Sequence, residues 1–207
     1  MMRSELELAA RSARGFMPHD EGLCLYQTVM DITAPGPIVE VGSYCGKSTI
    51  YMGAAAVETG RVVFTIDHHR GSEEMQKGWE HHDEEVVDQA TGRIDSLPEL
   101  RRNLEEAGLD GSVVPIIGDS RVVASHWTTP VSMVFIDGGH GSVPAHADYD
   151  GWVSKIAPGG FLAIHDVFPD PADGGRPPYE IFQRAINEGN FEEHKAVGSL
   201  RVLRSSL

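Results

Sequence analysis

The amino-acid sequence predicts an α/β fold, with a mostly parallel seven-stranded sheet that ends in an antiparallel hairpin. Short apolar runs of strand length alternate with segments of helical spacing along most of the chain. Five of these runs end in an acidic residue or have one within a residue or two. Because the carboxyl ends of parallel strands meet at one edge of an open sheet, we expect these acids to share a ligand site.

The elements follow from periodicity and from breaks at proline and glycine. Residues 1–34 form a helical leader, with helical spacing over 4–15 and 20–32. Strands are predicted at 38–41, 62–66, 113–117, 131–136, 160–164, 191–197 and 200–203. Further helices are predicted at 46–59, about 95–107, 120–126, 143–156 and 178–188. Gly198-Ser199 is a typical hairpin turn between the last two strands.

Length and charge limit the classes of function. The 207 residues suit a single domain, and 41% hydrophobic residues suffice for a core. A formal charge of −14 argues against nucleic acid or an anionic membrane as a partner and favours a neutral or cationic small molecule. No apolar run has the length of a signal peptide or a membrane span. Cys24 and Cys45 are expected to be reduced thiols, so a cytoplasmic protein is predicted, and the leader suggests a possible homodimer.

The turn after the first predicted strand is the most informative motif. Its pattern is E-x-G-x-x-x-G, formed by Glu40, Gly42 and Gly46. It fails the dinucleotide pattern G-x-G-x-x-G, and it is one residue too short for a phosphate-binding P-loop. A carboxylate at Glu40 repels phosphate but accepts hydrogen bonds from ammonium, which favours an amino-acid-bearing nucleoside. A tight strand-to-helix turn without a ligand is the alternative.

A second group of polar residues follows the fourth and fifth long strands. Because these strands are expected to be neighbours, Asp137 and Asp166 should face each other across a cleft. With water and a substrate diol they would make an oxygen-rich Mg²⁺ site. His140 or His165 is a candidate general base near neutral pH. Alternatively, His140 caps the next helix and His165 is a satisfied core residue.

Two insertions are predicted to be active-site lid loops, at 68–93 and 168–178. Both should overhang the ligand edge of the sheet, where Trp79 could stack on a sugar or ring. The doublets His68-His69 and His81-His82 invite a zinc interpretation, but their spacing favours a solvated polar loop.

These motifs together resemble class I S-adenosylmethionine-dependent methyltransferases, and among them the small bacterial sugar O-methyltransferases. The resemblance rests on Val39–Thr49, on Phe135–His140, on Asp148, and on Pro158-Gly159-Gly160 leading to His165-Asp166. It implies a Rossmann-like methyltransferase fold in which Glu40 holds the methionine amino group or a nearby backbone contact, Asp67 the ribose and Asp119 the adenine amine. The implied cofactor-binding residues are Glu40, Gly42, Ser43, Gly46, Ser48, Asp67, Asp119, Ser120 and Asp137. The implied catalytic residues are Asp137, His140 and His165, and the implied ligands of Mg²⁺ are Asp137 and Asp166.

One departure concerns the metal, because Val167 cannot supply the third oxygen ligand that related enzymes place after the fifth-strand aspartate. More narrowly, the insert Asp67-His68-His69-Arg70-Gly71 and the chain length are similar to those of enzymes that 1-O-methylate a short mannoside in methylmannose polysaccharide synthesis. This similarity implies a neutral mannoside as the acceptor. A metal-dependent hydrolase that uses the histidines and a non-catalytic nucleoside-binding module are the alternatives.

Overall fold

The computed structural model describes residues 1–79, 82–139, 141–170 and 172–206. Its central sheet has seven strands in the order β5-β2-β1-β6-β7-β9-β8. They are β1 (Ile38–Val41), β2 (Val63–Asp67), β5 (Val113–Ile117), β6 (Val131–Ile136), β7 (Ile156–Ile164), β8 (Phe191–Val197) and β9 (Leu200–Ser205). The first five pair in parallel, whereas β9 runs antiparallel to both β7 and β8. The predicted α/β fold, with its mostly parallel sheet and antiparallel hairpin, is confirmed.

Helices cover both faces of the sheet. They are α1 (Ser4–Ser12), α2 (His19–Met30), α3 (Lys47–Thr59), α4 (Leu97–Glu106), α5 (Ser120–His126), α6 (Ser142–Trp152) and α7 (Arg176–Asn187). Side chains of α1 to α4 form one core cluster with Ile38, and side chains of α5 to α7 form the other with Val39 and Val41. This division follows from the period of two in a strand, which turns successive side chains to opposite faces.

The leader is part of the core. Leu6 of α1 and Leu25 of α2 are almost fully buried, and both helices pack against α3. The homodimer suggested by this leader stays a prediction. No helix in the described part of the chain is both long and apolar enough to cross a membrane.

The predicted boundaries differ most for β7 and for the sixth helix, and the first insert contains local structure. The strand β7 begins at Ile156 instead of Gly160, and a register shift against β6 accommodates the additional residues. The sixth helix ends at Trp152, and a 3₁₀ turn over Val153–Lys155 follows it. The insert 68–93 contains local structure, with two 3₁₀ turns (Glu73–Met75 and Glu84–Val86) and the strand β3 (Val87–Asp88), which pairs with β4 (Arg93–Ile94).

Candidate functional site

A cavity of about 740 Å³ lies at the carboxyl ends of β1, β2, β6 and β7. This volume falls within the range of about 300–1,000 Å³ that is usual for small-molecule sites. The predicted site residues that line the cavity are Gly42, Ser43, Ser48, Asp67, Asp119, Ser120, Asp137, His165 and Asp166. The fold therefore brings together most of the acids that end the parallel strands.

The turn between β1 and α3 forms one wall of this cavity. Its backbone is left-handed at Gly42 (φ 89°), Tyr44 (φ 46°) and Gly46 (φ 90°). A Cβ atom at Gly42 would collide with the carbonyl group of Asp137, so only glycine lets these two strand ends approach. Gly46 does not line the cavity; a side chain there would collide with Leu100.

Asp67 holds this turn from the end of the neighbouring strand. One carboxylate oxygen accepts hydrogen bonds from the backbone N–H groups of Ser43 (3.0 Å) and Tyr44 (2.9 Å). The other accepts from the N–H of His69 (2.8 Å). Since each carboxylate oxygen can accept two hydrogen bonds, the exposed part of Asp67 keeps capacity for a ligand hydroxyl.

The position of Glu40 corrects the expectation that this residue faces the ligand. Its side chain is fully buried and does not line the cavity. Instead, its two oxygens accept hydrogen bonds from the hydroxyls of Ser48 and Thr49, each at 2.6 Å. Burial raises the pKa of Glu40 to about 7, although these hydrogen bonds act to lower it. Glu40 therefore supports the start of α3 from behind the turn.

Two further acids lie at the start of α5 and on α6. Asp119 caps α5 through the N–H of Arg121, and hydrogen bonds from the Arg121 side chain lower the pKa of Asp119 to about 2. Asp148 also lines the cavity but is only 5% exposed, and burial raises its pKa to about 6. The sequence interpretation included Asp148 in a motif without giving it a role.

The cluster at the ends of β6 and β7 contains Asp137, His165 and Asp166. His165 Nδ1 lies 2.9 Å from Asp137 Oδ1 and 3.4 Å from Asp166 Oδ2. Ligand atoms of all three residues lie within 4.8 Å of one another, and this is the one such group in the described ranges. Asp166 has a left-handed backbone (φ 55°), which is a costly conformation for a residue with a side chain. The predicted juxtaposition of Asp137 and Asp166 is thus present.

Glu21 is the partner of His165 that the sequence interpretation missed. It lies on α2, and its Oε2 atom is 2.6 Å from His165 Nε2. Burial acts to lower the pKa of His165, but the carboxylates of Asp137, Asp166 and Glu21 outweigh it and raise that pKa far above its usual range. A ring that donates from both nitrogens has no free lone pair, which argues against His165 as a general base.

A signal for Glu21 is present in the sequence. Glu21 shares the buried face of α2 with Cys24, Leu25 and Thr28, which follow it by three, four and seven residues. A carboxylate on such a face needs a buried partner, because burying an unpaired charge is costly. The distance along the chain, 144 residues, hides that partner.

The remaining histidines do not form a metal site in the parts of the chain that the structure describes. His69 is buried beside Ser96 (2.8 Å from Nδ1 to Oγ), and His82 Nδ1 lies 3.0 Å from the carbonyl of Met75. The predicted base His140 and the histidine of the second doublet, His81, lie outside the described residues.

The leader and the first insert meet above the glycine turn. Arg14 forms ion pairs with Asp83 and Glu85, and the Tyr44 hydroxyl donates to Asp83 at 3.0 Å. The ring of Phe16 stacks on Tyr44 at 5.8 Å, and both rings line the cavity, as does the half-exposed Trp79.

The second half of the insert is anchored by Val86 and Ile94, which are buried with Cys45. Closure of residues 68–93 and 168–178 over a ligand stays a prediction.

The comparisons with known proteins agree with this architecture. The O-methyltransferase NovP superposes with a TM-score of 0.73 at 18% identity, over 99% of this chain and 89% of that one. TomG from Streptomyces achromogenes, an O-methyltransferase of tomaymycin synthesis in complex with SAM, has a TM-score of 0.66 at 16% identity, over 100% and 91%. An O-methyltransferase from Bacillus cereus in complex with SAH has a TM-score of 0.63 at 18% identity, over 97% and 87%. At these identities the likeness shows the fold, and the predicted Rossmann-like methyltransferase fold is confirmed.

The family itself is shown by a sequence model. The model for the methyltransferase domain matches residues 39–167, which are 129 (167 − 39 + 1) of the 207 residues. This range begins in β1, contains the glycine turn and ends just after the Asp137, His165 and Asp166 cluster. The chain belongs to the methyltransferase-domain family.

Proposed function

We propose that the protein is an O-methyltransferase that transfers the methyl group of S-adenosylmethionine to a sugar hydroxyl. The observation that supports this most strongly is the continuity of the cavity. One space joins the glycine turn of β1 to the cluster of Asp137, His165 and Asp166. A cofactor at the turn and an acceptor at the cluster would therefore meet inside it.

The cofactor would lie along the carboxyl ends of β1, β2 and β5. Gly42 and Ser43 offer the close backbone approach that a ligand needs, and Asp67 is placed at the neighbouring strand end for the ribose hydroxyls. Asp119 and Ser120 would contact the adenine. The cofactors in the structures of TomG and the Bacillus cereus enzyme, SAM and SAH, support this choice. Because Glu40 lies behind the turn, the ammonium group of the methionine part would contact the backbone of the turn and Asp137.

In the reaction, the acceptor oxygen forms a bond to the methyl carbon while the bond from that carbon to the sulfonium breaks. The electron pair of the broken bond stays on sulfur, and S-adenosylhomocysteine leaves. The acceptor hydroxyl must also lose its proton to a base. Asp137 lines the cavity and is oriented by His165, so it is one candidate, and His140 is the other.

Mg²⁺ is proposed as a second cofactor, held by Asp137 and Asp166. The chemistry of the donors fits, because carboxylate oxygens of both residues converge within 4.8 Å and line the cavity. A bound Mg²⁺ would lower the pKa of the acceptor hydroxyl. His165 Nδ1 already lies beside both carboxylates, so the imidazole offsets part of the charge that would attract the cation.

A short mannoside is proposed as the acceptor, on the basis of the sequence similarity to mannoside 1-O-methyltransferases. The rings of Phe16, Trp79 and Phe168 line the cavity and offer apolar faces on which a sugar ring can pack. The formal charge of −14 suits a neutral acceptor better than a phosphorylated one.

The test is methyl transfer from labelled S-adenosylmethionine to a panel of mannosides, with and without Mg²⁺. We expect labelled product, abolished by EDTA and restored by Mg²⁺. Asp166→Ala should lower kcat and leave S-adenosylhomocysteine affinity nearly unchanged in calorimetry. Full activity after EDTA treatment would remove the metal from the proposal, and transfer only to acceptors other than sugars would remove the mannoside.

The base is identified by comparing two variants. Replacing the true base should cost about 10²–10⁴-fold in kcat. His140→Ala should show this loss only if His140 is the base, whereas Asp137→Asn should lose kcat in either case because it also removes a proposed Mg²⁺ ligand. S-adenosylhomocysteine should still raise the melting temperature of both variants. If both variants keep the full kcat, neither residue is the base.

A further inference from the structure

Glu21 occupies an unusual position for a carboxylate. Its side chain is 3% exposed, and it lies on the leader helix α2, outside the strand ends that form the site. It does not line the cavity, so it cannot touch a ligand there directly. Because a buried charge is expensive unless it is fully paired, a well-packed apolar residue would usually serve the stability of the fold as well or better.

The contacts of Glu21 link three distant parts of the chain. Oε2 lies 2.6 Å from His165 Nε2 at the end of β7. Oε1 accepts the backbone N–H of Ser199 at 2.6 Å and its hydroxyl at 3.2 Å, in the turn between β8 and β9. That turn has a glycine at 198 (φ 51°), and a Cβ atom there would collide with Oε1 of Glu21. The hairpin turn is therefore shaped around this carboxylate.

Through His165, these contacts reach the cavity. The imidazole is held between two carboxylates, with Nε2 toward Glu21 and Nδ1 toward Asp137 at 2.9 Å. Of the two, only Asp137 lines the cavity. A buried carboxylate on one nitrogen of an imidazole fixes the orientation of the ring, and thus what the other nitrogen can contact.

We propose that Glu21 is a positioning residue, which holds the His165 ring so that its Nδ1 edge orients Asp137 for the acceptor. This role rests on the proposed function, because the proposed function places Asp137 at the acceptor end of the cavity. In this proposal, α2 and the β8–β9 hairpin help to position the site residues. Neither lies within the range matched by the family model.

Glu21→Gln is the first test variant, since it keeps the shape but replaces one oxygen by an NH₂ group. His165 Nε2 and the Ser199 N–H both donate to Glu21 in the wild type. In the variant, one of them must therefore face the NH₂ group, which is itself a donor. We expect kcat to fall about 10–100-fold, with the KM for S-adenosylmethionine unchanged. The control is Glu58→Gln, a carboxylate that accepts from Tyr26 of the same helix (3.0 Å), and it should keep the wild-type kcat.

Gly198→Ala disturbs the same contact without changing Glu21 and covers the case in which Glu21→Gln does not fold. Its control is Gly189→Ala, which has a similar left-handed backbone (φ 74°) but open space at the Cβ position. We expect Gly198→Ala to lower kcat and Gly189→Ala to leave it unchanged. Wild-type kcat in Glu21→Gln or in Gly198→Ala would overturn the proposal, as would losses of kcat that only follow losses of cofactor affinity.

Nuclear magnetic resonance of ¹⁵N-histidine-labelled protein gives a readout that is independent of turnover. A hydrogen-bonded, buried Nε2–H of His165 should give a downfield proton signal in the wild type, which shifts or disappears in Glu21→Gln and is kept in Glu58→Gln. If the wild type transfers no methyl group but shows this pattern, the proposed function fails while the contact stands. If methyl transfer proceeds and the signal is identical in all variants, Glu21 does not position His165.

Discussion

Replacing Glu40 by glutamine tests the position of this residue behind the glycine turn. The buried carboxyl group accepts hydrogen bonds from the hydroxyls of Ser48 and Thr49, and burial raises its pKa to about 7. Glutamine has the same shape, and one hydroxyl can rotate to accept a hydrogen bond from its NH₂ group. Glu40→Gln should therefore remove the titration while keeping the packing.

The magnitude follows from linkage between protonation and folding. Because the folded-state pKa of about 7 lies above the ordinary value of 4.5, the unfolded chain releases its proton first as the pH rises. The stability that Glu40 contributes is fully present below pH 4.5 and is lost as the pH rises through 7. A shift of 2.5 (7 − 4.5) pH units corresponds to about 3 kcal/mol in the free energy of unfolding.

The assay is urea unfolding of the wild type and of Glu40→Gln between pH 4.5 and 8. Relative to the variant, the wild type should lose about 3 kcal/mol across this range. A difference that does not change with pH would refute the reasoning about burial. In calorimetry the variant should bind S-adenosylhomocysteine as the wild type does; a loss of about 1.5–3 kcal/mol would instead indicate direct contact with the cofactor.

Three further predictions concern the turn, the insert and the leader. Gly42→Ala should abolish S-adenosylhomocysteine binding, because its Cβ atom would collide with Asp137, whereas Gly60→Ala (φ 66°, open space) should cost only about 1–2 kcal/mol in urea unfolding and keep the binding. Hydrogen exchange around Trp79 should slow when cofactor and acceptor are both bound; protection already complete in the free protein would show a rigid scaffold instead of a lid. Arg14→Ala removes the ion pairs to the insert and should speed hydrogen exchange over residues 82–95. An unchanged rate would mean that the contacts of Val86 and Ile94 suffice to hold this part of the insert in place.

The sequence by itself determined the order of the elements and the edge of the sheet at which the site lies. Both depend on local signals, namely apolar runs of strand length, glycines that permit a left-handed turn, and acids that end the strands. Gly42, Asp67, Asp137 and Asp166 line one cavity because parallel strands bring their carboxyl ends to one edge whatever their packing partners are.

Only the tertiary structure decided which way the side chains face and which distant residues meet. Glu40 and Ile38 are two residues apart in β1, so their side chains lie on the same face of the sheet, and this face packs against α3. The carboxyl group of Glu40 therefore contacts Ser48 and Thr49 and does not face the cavity. Glu21 reaches His165 across 144 residues because α2 packs under the end of β7 and the hairpin turn closes over it. Such contacts depend on how whole elements pack together, and local sequence patterns do not identify the distant partner.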